Sequence, residues 1–140
     1  MRIAIALGFL FVAMVTGPAA AQQSRELKAC FDIANTQVEI NACAGEDLKR
    51  AKSEQTRVYQ ELLAKLQRDP VARRKVEAAQ QAWIAFRDAH LQELFPKEDK
   101  SSYGSVYPMS IALASAEVTR QRTTMLRDIL HPALGSVGPE

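Results

Sequence analysis

The sequence predicts an all-α fold, a small antiparallel bundle of three main helices with a short additional helix on the N-terminal side. Apolar residues recur every three or four positions in three long segments, which is the period of one face of an α-helix. The link between the first two long segments is very short, so the second helix turns back antiparallel on the first. With 140 residues, 47% of them hydrophobic and 24% charged, the chain fits one ordinary soluble domain.

The first 21 residues have the pattern of a secretory signal peptide. Arg2 precedes an almost unbroken apolar run over residues 3–15, and the segment ends in Ala19-Ala20-Ala21. This run of about 13 residues is shorter than the roughly 20 that span a bilayer, so we expect cleavage after Ala21 and no stable membrane insertion. The expected product is a periplasmic or secreted domain over residues 22–131, followed by a flexible tail over 132–140.

Removal of this peptide leaves a nearly neutral domain. Arg2 is the only charged residue removed, so 17 of the 18 basic residues remain against 16 acidic ones, a net charge of +1. The longest basic run is Arg73-Arg74-Lys75, and aromatic residues do not alternate with basic ones. Both features argue against nucleic acid as a partner.

Two cysteines in an exported protein predict one disulfide bond. Cys30 lies in a short first helix, expected over Ser24–Ala34, and Cys43 lies in the first turns of the next helix. We expect the bond to staple the short helix across the long one and to contribute on the order of 3 kcal/mol. Neither cysteine belongs to a CxxC pair or has a histidine nearby, which disfavours a redox or metal role.

A capping box, Thr36-Gln37-Val38-Glu39, marks the start of the second helix. In this motif the threonine hydroxyl accepts a hydrogen bond from the glutamate amide, and the glutamate side chain reaches back to the threonine amide. The helix is therefore expected to begin at Gln37 and to end near Gln67. Its apolar stripe consists of Ile40, Cys43, Leu48, Ala51, Val58, Leu62 and Leu66.

The third helix is expected over Pro70–Leu94, with Asp69 as its cap and the proline at the first position, where a missing N–H has no effect. It carries the only tryptophan, Trp83, and its apolar stripe continues through Phe86. We therefore expect both rings near the centre of the bundle. His90 continues the same stripe and is interpreted as a partly buried packing residue.

Arg87 and Asp88 interrupt the apolar pattern of this third helix. They either face solvent or form a polar network with the last helix, where Thr119, Arg120 and Arg122 offer partners. We favour the network, which would hold the two helices in register. The last helix is expected over residues 109–130.

The sequence offers little support for catalysis. His90 and His131 lie 41 positions apart on different segments, and there is no nucleophile elbow or glycine-rich phosphate loop. Glu98 and Asp99 are adjacent in a polar loop, where we expect both to be solvated rather than to form an acid–base pair. We therefore expect no enzyme activity, no cofactor and no metal site.

Five short motifs occur in a characteristic order and spacing. They are Cys30; Thr36-Gln37-x-Glu39-x-Asn41-x-Cys43-Ala44; Ala79-Gln80-x-x-Trp83-x-x-Phe86-Arg87-Asp88-Ala89; Gly104-Ser105; and Thr119-Arg120-x-Arg122. Each motif is weak alone, but together they cover residues 28–127, and the chain resembles the LprI-like lysozyme inhibitor domain family of exported bacterial proteins. The resemblance implies a helical domain that blocks the cleft of a lysozyme.

The sequence departs from the family pattern at one pair of positions. Members commonly carry two further cysteines, and Leu91 and Ala114 stand at those positions here. We expect these two side chains to touch across the third and last helices. Burial of the leucine would contribute ~1.5–3 kcal/mol, while the loop between the two helices loses a tether.

The resemblance implies a protruding segment that offers hydrogen-bond donors to the two carboxylates of a lysozyme cleft. The candidate is the polar loop over residues 96–107, whose other interpretation is an ordinary mobile connection. The expected roles are Lys100 as the cation, Ser101, Ser102 and Ser105 as donors, Tyr103 and Tyr107 as rigid aromatic anchors, and Gly104 for the bend.

A different class of function is also compatible with the sequence. The protein would then be a periplasmic, non-enzymatic interaction or envelope-maintenance protein that binds another protein or cell-wall material. The net charge of +1 on the domain without residues 1–21 does not attract it to lysozymes, because these are themselves basic, so the charge does not favour inhibition. A complex with a lysozyme would favour inhibition, and its absence would favour this alternative.

Overall fold

The structure is a computed structural model that describes residues 25–132. Its elements are α1 (Arg25–Ile33), α2 (Gln37–Lys65), α3 (Pro70–Leu94), a 3₁₀ turn (Lys100–Tyr103) and α4 (Tyr107–Leu130). No strand occurs in this part of the chain, so the predicted all-α class is confirmed. The predicted signal peptide and all but the first residue of the predicted tail lie outside the described residues.

Local chemistry fixes the starts of α2 and α3 where they were predicted. The capping box forms, because Thr36 Oγ1 accepts from the amide of Glu39 at 3.2 Å and Glu39 Oε2 accepts from the amide of Thr36 at 2.9 Å. Asp69 Oδ1 accepts from the amides of Val71 and Ala72, the first turn of α3. Each side chain satisfies amides that a helix start leaves without partners.

Two other helix ends differ slightly from the prediction. The second helix ends at Lys65 rather than near Gln67. The last helix begins at Tyr107, two residues before the predicted Met109. Its first turn includes Pro108, whose missing N–H leaves no helix bond unmade at that position.

Two ion pairs show that α2 and α4 run parallel. Asp47 pairs with Arg120, and Glu54 pairs with Arg127, so both pairs join residues that are 73 positions apart. A constant offset between pairs that lie one heptad apart requires the two helices to run in the same direction and in register. The third helix returns between them in the chain and is therefore antiparallel to both.

The core is the seam between α2 and α4. Near one end the seam is built from small buried residues, which let the two helix backbones approach closely. Near the other end it is built from large ones, each of which stabilises the fold by ~1.5–3 kcal/mol. The small residues are Ala44, Ala51, Ala112 and Ala116, and the large ones are Val58, Leu62, Leu126 and Leu130.

The disulfide between Cys30 and Cys43 is present as predicted, with the Cα atoms 5.8 Å apart. It fixes α1 across the first turns of α2, and Leu27, on the same short helix, is 1% exposed. The described residues include no helix that is long and apolar enough to cross a membrane.

The prediction that Phe86 lies near the centre of the bundle is wrong. Trp83 is 9% exposed, but Phe86 is 57% exposed. The reason is that α2 and α4 close the core by themselves, and α3 packs along one side of this pair, mainly against α4. The inward face of α3 is therefore narrow and consists chiefly of Val76, Gln80 and Trp83.

Candidate functional site

The loop between α3 and α4 folds around Asp99. Its Oδ1 atom accepts from the amide of Ser101 at 3.0 Å and from the hydroxyl of the same serine at 2.7 Å. The hydroxyl of Ser102 donates to the Asp99 carbonyl oxygen at 2.8 Å. The bond from the Ser101 hydroxyl, followed by that from its amide, lowers the pKa of Asp99. This cap starts the 3₁₀ turn, so the loop has a defined shape.

Three aromatic rings form a small cluster beneath the turn. Tyr103 and Tyr107 stack with their ring centroids 5.3 Å apart. Phe95 lies edge-on to both, at 5.7 and 5.4 Å. The hydroxyl of Tyr103 also accepts from the amide of Lys97 at 2.8 Å. The two tyrosines that were predicted to be anchors for a partner therefore pack within the loop, and both rings are partly buried.

Lys100 holds the loop to the end of α3. Its Nζ donates to the carbonyl oxygens of Phe95 at 2.7 Å and of Lys97 at 2.6 Å. A cation that caps the last carbonyl groups of a helix is favourable for both hydrogen bonding and the helix dipole. The structure thus places Lys100, the predicted cation, inside the loop. The exposed lysine of this loop is Lys97, whose Nζ lies 5.1 Å from the ring centre of Tyr103.

A chain of amide side chains joins the loop to the start of α2. Gln37 Nε2 donates to Asn41 Oδ1 at 2.9 Å, and Asn41 Nδ2 donates to the Ser105 carbonyl oxygen at 3.0 Å. Gly104, with φ of +73° and ψ of −168°, turns the chain so that this carbonyl group reaches α2. That backbone conformation is essentially restricted to glycine.

The same end of the molecule holds the capping box and the disulfide. Glu39 accepts from the amides of Asn35 and Thr36, and these bonds, that of Asn35 first, lower the pKa of Glu39. The segment from Thr36 to Cys43 thus starts α2, anchors α1 and supports the loop. Sequence analysis identified these residues as a motif, and the structure shows that they act on one another.

The predicted network of Arg87 and Asp88 with α4 does not form. Arg87 Nε donates to Asp88 Oδ1 at 2.8 Å, and its guanidinium lies 5.3 Å from the ring centre of Trp83. The polar link between α3 and α4 is instead Arg122 Nε, which donates to Gln80 Oε1 at 3.0 Å. The Arg87 side chain is thus occupied by Asp88 and the Trp83 ring, both of its own helix, and the Asp88 side chain is 53% exposed.

Arg122 and Thr119 are both buried at the centre of the molecule. Burial lowers the pKa of Arg122, and the neutral amide of Gln80 is its hydrogen-bond partner. The hydroxyl of Thr119 donates to the carbonyl oxygen of Ser115 at 2.6 Å, within its own helix. Arg122 thus ties α4 to α3, and both residues are too buried to offer a group to a ligand.

Sequence analysis missed Asp47, the fully buried carboxylate that pairs with Arg120. A signal for it was present, because Asp47 lies three residues after Ala44 and four before Ala51, in phase with the apolar stripe of α2. No group of side chains in the described part of the chain has the composition of a metal site.

Comparison with known protein families identifies the family of this chain. The family model for the lysozyme inhibitor LprI matches residues 28–126. The chain belongs to the LprI family. An uncharacterized protein of Rhizobium meliloti is 32% identical to it over 129 residues, which cover 84% of this chain and 88% of the relative. No solved structure matches the chain.

The LprI match spans the whole of the described bundle except its edges, including the loop and its support on α2. The motifs on which the sequence resemblance rests fall into two groups in the structure. Those at Thr36–Cys43 and Gly104-Ser105 hold the loop end together. Those around Gln80 and Arg122 tie α3 to α4.

Proposed function

We propose that this LprI protein is an exported, non-enzymatic inhibitor that binds a lysozyme through the α3–α4 loop. The observation that carries the proposal is the shape of the loop, which is formed by its own side chains and held on α2 by Asn41. A binding segment that is ordered before it meets its partner loses less conformational entropy on binding. Family membership supplies the expected partner.

The exposed surface of the loop fits the chemistry of a lysozyme cleft. Glycosidases of this kind use two carboxylic side chains that flank the bond they cut. The loop offers the ammonium of the exposed Lys97 to such a pair, whereas the hydroxyls of Ser101 and Ser102 already donate to Asp99. In this proposal Lys100, Tyr103, Tyr107, Gly104 and Ser105 shape the loop, and Lys97 contacts the partner.

Export belongs to the same proposal. A disulfide bond persists in oxidising compartments, and the bond between Cys30 and Cys43 is formed here. Together with the signal-peptide pattern in residues 1–21, it supports a periplasmic or secreted location. Lysozymes act on the cell wall, so an inhibitor has to reach the same compartment.

The test is a lysis assay with the exported protein. The full-length chain is expressed with its own leader, purified oxidised from the periplasm, and titrated against c-type, g-type and bacterial lysozymes on cell walls. We expect stoichiometric inhibition of one type, reached at one inhibitor chain per enzyme. If the protein is folded and helical but leaves all three types active, the proposal is wrong, and the envelope-maintenance function takes its place.

A further inference from the structure

The third helix carries an exposed stripe with heptad spacing. Its members follow one another at alternating intervals of four and three residues and are all exposed: Lys75, Ala79, Ala82, Phe86, Ala89 and Glu93. The middle of the stripe is apolar, and the largest side chain in it, Phe86, is 57% exposed. One end is basic and the other acidic. This spacing is the one used by helices that pack against a second helix.

The stripe lies on the outer side of α3. Val76 packs against the core cluster of α2 and α4, and Gln80 bonds to Arg122 of α4, so these two residues mark the inward side of α3. At 100° per residue, the stripe is centred roughly 120° around the helix axis from them. Met125 and Ile129 of α4 are 54% and 49% exposed, so α4 adds apolar surface that the core leaves uncovered.

We propose that this stripe is the contact surface of a homodimer in which two α3 helices pack antiparallel about a two-fold axis. In that register Phe86 packs over Ala82 of the second copy, and Ala79 faces Ala89 of the second copy. Lys75 meets Glu93 at both ends. The two residue numbers in every pair have the same sum, so a single antiparallel register of the two helices forms all of these pairs at once. An interface of this kind is self-complementary, as two-fold symmetry requires.

The charges at the two ends of the stripe favour a second copy of the same chain, packed in the antiparallel direction. In the parallel arrangement Lys75 would lie against its own copy, and Glu93 likewise, so like charges would repel. In the antiparallel arrangement each lysine meets a glutamate. Lys75 has no ion pair with any described residue, and Glu93 contacts His90 of its own helix at 2.6 Å. The alanines allow the two helix backbones to approach closely, and Phe86 fills the space above Ala82.

This dimer leaves the α3–α4 loops free. Each loop follows the C-terminal end of α3, so antiparallel packing puts the two loops at opposite ends of the assembly. Each could then bind its own partner. The dimer is independent of the proposed function, because it is detected without a lysozyme.

The first test measures molar mass by sedimentation equilibrium over a range of concentrations. The exported wild-type protein is expected to dimerise, and Phe86→Glu to be monomeric with an unchanged helical circular dichroism spectrum. The matched control is Val38→Glu on α2, where the valine is 77% exposed and lies outside the stripe. That variant is expected to dimerise like the wild type. A wild type that stays monomeric throughout the range would overturn the proposal.

The second test addresses the register. Lys75→Glu and Glu93→Lys are each expected to weaken the dimer roughly tenfold, since each puts like charges together at both ends. The double variant exchanges the two charges and restores the pairs, so its dimerisation constant is expected to return to near the wild-type value. A dimer that is insensitive to both single reversals, or a double variant weaker than either, would rule out this register.

Discussion

Asp47 is a fully buried carboxylate in the seam between α2 and α4. Its side chain is fully buried, and Arg120 of α4 lies 2.5 Å from it, while Arg50 of its own helix lies at 3.5 Å. Removing a carboxylate from water is unfavourable unless a cation and hydrogen bonds replace the water. The pair therefore favours this register of the two helices, because a shifted register would separate the carboxylate from Arg120, the nearer of its two cations.

Replacing Asp47 by asparagine is expected to lower the free energy of unfolding by about 2–3 kcal/mol. The value lies at the low end for a broken buried pair because the Arg120 side chain is 32% exposed and can partly regain water. The control is Asp32→Asn, which removes an exposed pair with Lys28 and should change stability by less than about 0.5 kcal/mol. Urea unfolding measures both, and equal effects would contradict this account.

Glu54 makes part of the stability depend on pH. Hydrogen bonds from Arg57, followed by Arg127, lower its pKa from 4.5 to about 2. A carboxylate whose pKa is lowered by folding stabilises the fold fully above its ordinary pKa, and this contribution is lost as the pH falls towards the folded value. The side chain is 38% exposed, so the contribution is below about 1 kcal/mol.

We therefore expect Glu54→Gln to be less stable than the wild type at neutral pH and equally stable at about pH 2. The measurement is urea unfolding of both proteins between these two pH values, with the difference plotted against pH. The difference should disappear mainly below pH 4.5. A difference that stays constant down to the lowest pH would show that the carboxylate charge is not its source.

At the scale of elements, the loop and α2 each contain a glycine, and the two differ in backbone conformation. Gly45 lies within α2, whereas Gly104 has φ of +73° in the loop. Neither position has a neighbouring atom within 4 Å of where a Cβ would stand, so space does not distinguish them. Backbone conformation alone decides what a side chain does at each site.

Gly45→Ala is expected to stabilise the protein by ~0.5–1 kcal/mol, because alanine loses less backbone freedom than glycine in a helix. Gly104→Ala is expected to destabilise it by ~1–3 kcal/mol, because the conformation there strains any side chain. Thermal or urea unfolding of the two variants checks the signs. The same sign for both would contradict the positive φ at Gly104.

The packing of α3 on α4 makes a second disulfide feasible. Gln80 bonds to Arg122 across the two antiparallel helices, and this register puts Leu91 opposite Ile111, one turn from Ala114. Leu91 and Ala114 are both partly buried. That they touch stays a prediction, since the register brings them close without fixing a contact.

The double variant Leu91→Cys/Ala114→Cys is expected to form the bond on oxidation. It should stabilise the protein by about 3 kcal/mol, because it closes a loop of some twenty residues in the unfolded chain. Mass spectrometry after alkylation counts free thiols, and urea unfolding with and without reductant measures the gain. Two free thiols in the oxidised, folded variant would show that the helices are spaced differently.

At the scale of the whole molecule, the sequence predicted what local chemistry controls. The capping box at Thr36 and the Asp69-Pro70 pair fix helix starts through their own backbone bonds, so their positions could be found without knowing the fold. A stripe such as that of Phe86 shows only that a helix has an apolar face. It does not identify the helix that covers that face, and in this chain α2 and α4 cover each other instead.

The loop between α3 and α4 shows the same limit on what a sequence pattern can predict. Its composition indicated a polar, turn-forming segment, but lysine and tyrosine can point outward to a partner or inward to the loop with the same sequence. The direction depends on the carbonyl groups at the end of α3, which only the fold brings within reach of Lys100. Sequence analysis could therefore propose this segment, but it could not establish which of its side chains point inward.

The central claim is that the α3–α4 loop binds a lysozyme. Its most direct test is titration calorimetry, which measures the affinity of the protein, and of two matched variants, for a lysozyme that the protein inhibits. Lys97→Ala removes the exposed ammonium of the loop, and Lys52→Ala removes an exposed one from α2. We expect one lysozyme per chain, affinity at least about tenfold weaker for Lys97→Ala, and no change for Lys52→Ala. No complex, or equal affinity of the two variants, would contradict the assignment of the loop as the binding surface.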